Sequence, residues 1–485
     1  MTLKQKTISG LLWSFIDSFA SLGISFIIGI ILARLLSPKE FGLIGMLTIF
    51  IAISQSFIDS GFRQALIRKQ DCTQADYSTV FYFNIVVGVL CYILLFAFAK
   101  SIGDFFHEPI LKDLIRVLGL GLIINSLTII QSTLLTKRID FKLQAKISVI
   151  SSIISGLISI YMAFTGWGVW SLVALTLVRY TISSLLLWFW SKWKPILCFS
   201  SRSFTELFSF GSKLLVSGLI DTIYRNVYYI VIGKYFAAAE LGYYTRADQF
   251  QSLPSSNLQG IIGRVSFPVL LTIQGNIPIL REAYKKIIKS TMFITFVLML
   301  GMAAIAKPMV LTLIGEKWEP CVIYLQMLCF VGMFYPLHAL NLNMLQVQGR
   351  SDLFLRLEII KKALAIPIIV IGIIWGIKAM ILGMMVNTLI AYYINSYWSG
   401  SFIGYSFYAQ IKDILPSLLL ALIMSSVLFA EGLLIQLSPL PLLIIQLITG
   451  ALLTFGLCEV FHFKDYLYIK EIIKDKFLIQ KIHDK

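Results

Sequence analysis

Five charged residues stand inside long apolar stretches of this chain: Asp17, Arg179, Asp221, Arg225 and Arg264. A charge at bilayer depth costs ~2.5–3.5 kcal/mol on insertion scales, so each needs a reason to be there. Within the stretch 207–232, Lys213, Ser217, Asp221 and Arg225 recur every fourth residue, which on a helix makes one polar stripe. Asp221 precedes Arg225 by one turn, the favourable order for a helical ion pair, and Tyr224 and Tyr228 flank it. Three deep arginines against two aspartates leave guanidinium in surplus, and the planar fork of Arg fits anionic oxygens bidentately. The expected binding set for an anion is therefore Arg179, Arg225, Arg264, Lys213, Tyr224 and Tyr228. A second polar network is expected from Asp17, Asp221, Asp59 and Arg63, the last two at the inner end of the stretch 41–62. Asp17 reads either as a proton- or cation-binding carboxylate or as a hydrogen-bond partner of neighbouring helices. Near the first charge, Ser14, Ser18, Ser21 and Ser25 form a matching stripe, expected to face the same wet interior. His338, Asn341 and Asn343 are weaker polar candidates, and a lone His among apolar residues reads first as a packed, hydrogen-bonded side chain.

The elements that must hold these residues follow from composition. Of 485 residues, 58% are hydrophobic and only 14% charged, with a mean hydropathy of +0.84. Soluble domains sit near 45–50% apolar and about 25% charged. Apolar stretches long enough to cross ~30 Å of hydrocarbon recur along the whole length. Fourteen are expected, near 8–33, 41–62, 79–99, 114–135, 146–165, 168–190, 207–232, 248–273, 289–314, 320–346, 356–376, 379–398, 413–435 and 440–462. The chain thus reads as an all-α polytopic membrane protein of about 14 transmembrane helices, which excludes a soluble enzyme with an anchor.

The formal charge of +16 would point to nucleic acid in a soluble protein, but the basic residues are dispersed through short loops, so no nucleic-acid partner is expected. With the N-terminus inside, 28 Lys and Arg lie on the inner side against 10 on the outer, which places both termini in the cytoplasm. Residues 463–485 alternate Lys with Ile, Phe and Leu and read as an amphipathic tail on the inner surface. The six cysteines are scattered without a CxxC pair and read as small buried hydrophobes.

The sequence also resembles itself at an offset of 200 residues: Ala33–Gly42 answers Gly233–Gly242, each ending in Glu, an apolar residue and Gly. Arg138-Ile139-Asp140-Phe141 is echoed by Arg350-Ser351-Asp352-Leu353. Six helices separate the repeats, an even number, so both halves run the same way and are parallel repeats with substrate expected at their interface. The expected organisation is an N-terminal lobe over 1–205 (helices 1–6), a C-terminal lobe over 206–400 (helices 7–12), appended helices 13–14 over 401–462, and the tail. No ATP-binding loop, HExxH, GxSxG or Cys/His cluster is present, so no enzyme, cofactor or metal is expected.

Several motifs carry a resemblance. Asp59-Ser60-Gly61-Phe62-Arg63-Gln64-Ala65-Leu66-Ile67-Arg68-Lys69, running on through Asp76-Tyr77-Ser78-Thr79-Val80-Phe81, resembles the Wzx-type polysaccharide and lipopolysaccharide flippases. So do Leu241-Gly242-Tyr243-Tyr244-Thr245-Arg246-Ala247 with Leu253-Pro254, Phe267-Pro268, and Ile314-Gly315-Glu316-Lys317-Trp318-Glu319-Pro320. The resemblance covers the chain to about residue 400 and implies the two-lobed fold of the multidrug/oligosaccharidyl-lipid/polysaccharide (MOP) superfamily. It implies flipping of an undecaprenyl-pyrophosphate-linked oligosaccharide across a bacterial inner membrane by alternating access, coupled to H+ or Na+. Membrane lipid, a polysaccharide polymerase and chain-length machinery are the other partners it implies. The competing readings are a multidrug/cation antiporter of the same superfamily, which calls for an acidic interior, and a membrane-embedded polysaccharide polymerase, which calls for a large outer loop or a carboxylate-rich site.

Overall fold

The computed structural model describes residues 3–467 together with 470 and 471; the side chains at 3–12, 14–19, 257, 261–265 and 351 lie outside that description. All regular structure among the described residues is helical. The first half runs α1 (Leu3–Leu35), α2 (Pro38–Asp59), α3 (Phe62–Arg68), α4 (Gln74–Phe106), α5 (Leu111–Ser126), α6 (Ile129–Lys137), α7 (Phe141–Phe164) and α8 (Trp170–Ser191). It continues through α9 (Ser201–Tyr235) into α10 (Ala238–Thr272), α11 (Ile277–Ala304), α12 (Ala306–Ile314), α13 (Cys321–Gly332) and α14 (Tyr335–Val347). The last four helices are α15 (Ser351–Trp375), α16 (Ile377–Ile403), α17 (Phe407–Leu434) and α18 (Pro439–Val460).

Each of the fourteen expected stretches falls on one helix or on a broken pair. Nine helical segments among the described residues are long and apolar enough to cross a membrane, and the pair α5/α6, bent by 42°, makes a tenth. The helices α9 and α10, which carry most of the expected polar residues, are not among them. Both are 35 residues long and begin well before the expected stretches at 207 and 248. A polar cap starts α9, where the backbone N–H of Ser203 donates to Ser200 Oγ at 3.2 Å. The expected tail beyond Lys470 and Glu471 lies outside the described residues.

The sequence repeat is a repeat of elements. Helix α1 ends at Leu35 and α9 at Tyr235, while α2 begins at Pro38 and α10 at Ala238. The two turns use the same backbone bonds: Leu36 N–H to Leu32 C=O at 2.8 Å, and Phe236 N–H to Ile232 C=O at 2.9 Å. At this level Gly42 and Gly242 meet almost symmetrically. A Cβ at Gly42 would overlap the carbonyl oxygen of Ala238, and one at Gly242 that of Pro38. Only residues without a Cβ allow the two helix starts to cross this closely. The broken pairs α5/α6 and α13/α14 also correspond, and each is followed by a left-handed residue, Ile139 or Gly349, before the next helix. Asp140 caps α7 by accepting from Leu143 N–H at 3.2 Å, whereas Asp352 accepts two bonds from Arg350 at 2.9 and 2.8 Å.

Two compact units result, Met1–Gly242 and Tyr243–Lys485. In the first, α1 packs on α7, α4 on α5, and α9 on α2, α3 and α4. Its core near the α2/α3 break joins Phe62, Leu66, Phe81, Trp193 and Leu207. In the second, α11 packs on α17 and α15 on α16. The unit boundary falls inside α10 because α9 is held by its packing on α2–α4, whereas a boundary at 205/206 follows the repeat.

Candidate functional site

The polar stripe of α9 is real and open. Lys213, Ser217, Asp221 and Arg225 are all exposed, while Tyr224 is half-buried and Tyr228 is buried. The opposite face fixes the helix against α2, where Thr222 Oγ1 lies 3.2 Å from Ser56 Oγ. Lower down, Gly211 meets the break in the second span. Ser60 and Gly61 are both left-handed there (φ 44° and 70°), and a Cβ on Gly211 would sit 2.6 Å from the Ser60 carbonyl oxygen. Glycine at 61 accepts the positive φ without strain and at 211 accepts the neighbouring backbone. At the foot of α9, Glu206 joins Lys69 at 3.0 Å, and Asp76 approaches the same ammonium at 3.3 Å. The hydrogen bond that Lys69 donates to Glu206, helped by Asp76, holds the Lys69 ammonium above its ordinary pKa.

The expected intrahelical ion pair is a correction. Arg225 makes no ion pair or hydrogen bond with any other described residue, Asp221 included. Its guanidinium is therefore presented outward. Arg179, half-buried on α8, stands apart from this stripe: α8 packs on α5 and α7, and α2 is the element that touches both α8 and α9. Arg264 lies on α10 and Asp17 on α1, with side chains outside the description.

Asp59 and Arg63 belong to a joint rather than to the stripe. Asp59 is the last residue of α2 and Arg63 the second of α3. The Arg63 guanidinium donates to Ser132 Oγ on α6, tying the break of the second span to the break of the fourth. One Asp59 carboxylate oxygen and Arg63 Nε are buried there without a hydrogen-bond partner. On α1, Ser21 Oγ lies 2.8 Å from Ser148 Oγ of α7, so this member of the expected serine stripe bonds a neighbouring helix, while the side chains of Ser14 and Ser18 lie outside the described residues.

In the second unit Asn341 sits in a buried network, while half-buried His338 and Asn343 make separate bonds. Ser399 Oγ donates to Asn341 Oδ1 at 2.5 Å, and Gln410 Nε2 donates to the same oxygen at 3.3 Å. Tyr392 O–H reaches Gln410 Oε1 at 3.5 Å, and His338 Nδ1 lies 3.4 Å from Asn395 Nδ2. Asn343 Nδ2 donates to Ser266 Oγ of α10 at 3.4 Å. Two features escaped the sequence reading. Arg246, in the gap between the expected stretches 207–232 and 248–273, is in the third turn of α10 and donates to Gln249 Oε1 at 2.6 Å. Gln410, Ser399 and Tyr392 were also overlooked, although Tyr392, Asn395 and Ser399 are spaced at i, i+3 and i+7 along one face of an apolar helix.

The arrangement can present cations and hydroxyls along one open helix face to an anionic group. Residues 31–323, more than half of the chain, match the model of a family described as "Polysaccharide biosynthesis protein". Over 422 residues, 86% of this chain and 83% of the relative, it is 27% identical to the lipopolysaccharide biosynthesis protein WzxC of Escherichia coli (strain K12). It is also 27% identical over 358 residues, 73% of each chain, to the teichuronic acid biosynthesis protein TuaB of Bacillus subtilis (strain 168). Among solved structures, the lipid II flippase MurJ in an inward closed conformation superposes with a TM-score of 0.76 at 17% identity, covering 94% of this chain and 100% of that one. That similarity shows the fold.

Proposed function

The chain belongs to the polysaccharide biosynthesis protein family, and on that premise we propose that it flips a lipid-linked, anionic oligosaccharide across the membrane. The substrate class is an undecaprenyl-pyrophosphate-linked glycan, moved from the cytoplasmic to the periplasmic leaflet of a bacterial inner membrane by alternating access coupled to H+ or Na+. One observation carries this reading: the exposed, cationic stripe of α9, ending in Arg225, which has no partner among the described residues. Guanidinium and ammonium groups presented on an open face suit phosphate oxygens, and Tyr224 and Tyr228 stand beside them on the same helix. The MurJ-like fold and the glycan-pathway names of the relatives support the same class of substrate. The two repeats supply two bundles, 1–205 and 206–400, with the charge asymmetry of the loops supporting cytoplasmic termini. Arg179 and Arg264 complete the anion set, and Asp17, Asp221 and the Asp59–Arg63 joint supply the carboxylates for coupling.

A multidrug/cation antiporter calls for acidic surplus inside, and the stripe has the opposite sign. The test is translocation of a fluorescent undecaprenyl-pyrophosphate saccharide in proteoliposomes, wild type beside Arg225→Glu. Flipping by the wild type and loss in the variant are expected. No flipping by folded wild type under either an H+ or a Na+ gradient would overturn the reading.

A further inference from the structure

A second apolar site lies away from the stripe. Along α4 runs a groove of about 460 Å³. Buried Leu95 and Ile102 form its floor, exposed Phe98 and Phe105 its wall, and Phe50 of α2 and Ile230 of α9 close the other side. It extends from Leu94 to Phe105. At 1.5 Å per residue that is ~16 Å, about half the ~30 Å hydrocarbon thickness of a bilayer. The groove is therefore about as long as one leaflet is deep.

Its end is charged. Lys234 lies one turn beyond Ile230 on the same face of α9, in the last turn of the helix. Its Nζ donates to the Phe105 carbonyl oxygen at 2.5 Å and sits 4.6 Å from the centre of the Phe105 ring. Among the described residues no carboxylate pairs with it, whereas Lys39 nearby in sequence to the corresponding turn is paired with Glu108 at 3.1 Å. An apolar channel one leaflet long that ends at an unpaired ammonium at headgroup level matches an amphiphile with one chain in the groove and a phosphate at its mouth. A polyprenyl chain is several times longer than the groove, which favours an ordinary acyl chain.

We propose that this groove is a binding site for one acyl chain of an anionic bilayer phospholipid, with the phosphate held by Lys234. In the orientation proposed above the lipid belongs to the outer leaflet. The site does not depend on the transport reading, because it is assayed without glycan or gradient.

The experiment measures lipid retained by the purified full chain, by native mass spectrometry, after incubation with phosphatidylglycerol or phosphatidylcholine. Wild type should keep one phosphatidylglycerol in preference to phosphatidylcholine. Lys234→Gln should reduce that preference about fivefold, as expected for one Lys near a headgroup. Ile230→Trp, which fills the groove, should remove both lipids. A third variant guards against misfolding: Phe98→Trp changes an exposed wall position, and its added fluorescence should be quenched by phosphatidylglycerol brominated on the acyl chain. Equal retention of the two lipids by wild type, unchanged retention in both groove variants, or no quenching at position 98 would each overturn the proposal.

Discussion

Two polar regions of this membrane protein both stand among apolar helices and are opposite in construction. On α9, Lys213, Ser217, Asp221 and Arg225 are exposed, and Arg225 is without a partner among the described residues. In the second unit, Asn341, Ser399 and Gln410 are fully buried and bonded to one another across α14, α16 and α17. At its edge, Tyr405 O–H donates to Asp413 at 2.8 Å, and Lys285 pairs with the same carboxylate at 3.1 Å. Polar side chains in an apolar setting must be satisfied from within or by something that arrives from outside. The sealed network is satisfied from within and so holds helices together. The open stripe is available to a ligand. Polarity alone does not separate the two regions; exposure does, together with an Arg225 that has no partner among the described residues.

The largest effect should come from breaking the sealed network. Gln410→Leu removes bonds to Asn341, Tyr392 and the Tyr405 carbonyl oxygen; Asn341 keeps Ser399 and the Leu337 carbonyl oxygen, while the Tyr392 hydroxyl and the Tyr405 carbonyl oxygen lose this partner. Interhelical bonds in membranes average ~0.6 kcal/mol, and an orphaned buried group costs about 1–3 kcal/mol. A loss of about 2–4 kcal/mol is expected, read as a clear fall in thermal unfolding temperature in detergent. Flipping per folded molecule should be preserved. Loss of flipping at unchanged stability would move the network into the transport machinery and erase the contrast.

Arg225→Glu should do the reverse. Charged hydrogen bonds are worth about 1.5–3 kcal/mol, so transport should fall by at least tenfold. Stability should stay within about 0.5 kcal/mol, as for exposed substitutions elsewhere. A large fall in unfolding temperature would show that the guanidinium is structural. Tyr405→Phe is a smaller probe of the sealed side: losing one bond to Asp413 should cost about 1 kcal/mol in stability with no change in flipping.

Much of this was legible in the sequence. The apolar stretches located the helices, and the offset of 200 located corresponding turns to the residue, because the helix ends at 35 and 235 are set by local polar and small residues. The stripe itself followed from four-residue spacing. What escaped were features decided by a second segment of chain. Asp221 and Arg225 have the right spacing to pair, yet that spacing does not reveal that Arg225 extends away. Arg246 looks like a loop residue because Glu240 and Asp248 surround it, but α10 already runs from Ala238. The Asp59–Arg63 motif was visible, while its role as a joint depends on Ser132, 69 residues away from Arg63. Gly42 and Gly242 were read as matching letters, and only the crossing shows why neither tolerates a Cβ.

The finest test of the contrast is Lys213→Ala. Lys213 is exposed, opens the stripe, and lies three turns from Arg225 on the same face of α9. Its ammonium is a flexible point charge rather than a planar fork, so it attracts an anion without fixing its geometry. Exposed charges of this kind contribute about 0.2–1 kcal/mol, and the effect is screened by salt. Flipping should therefore fall by only about two- to fivefold at low ionic strength, and the deficit should shrink as salt rises. Arg225→Ala, by contrast, should lose its activity with little dependence on salt if its forked contact is made at close range. Measuring initial flipping rates of both variants across a salt series separates attraction along the stripe from recognition at its end. Identical salt dependence in the two would mean that the stripe acts as one diffuse field, and that Arg225 has no special place in it.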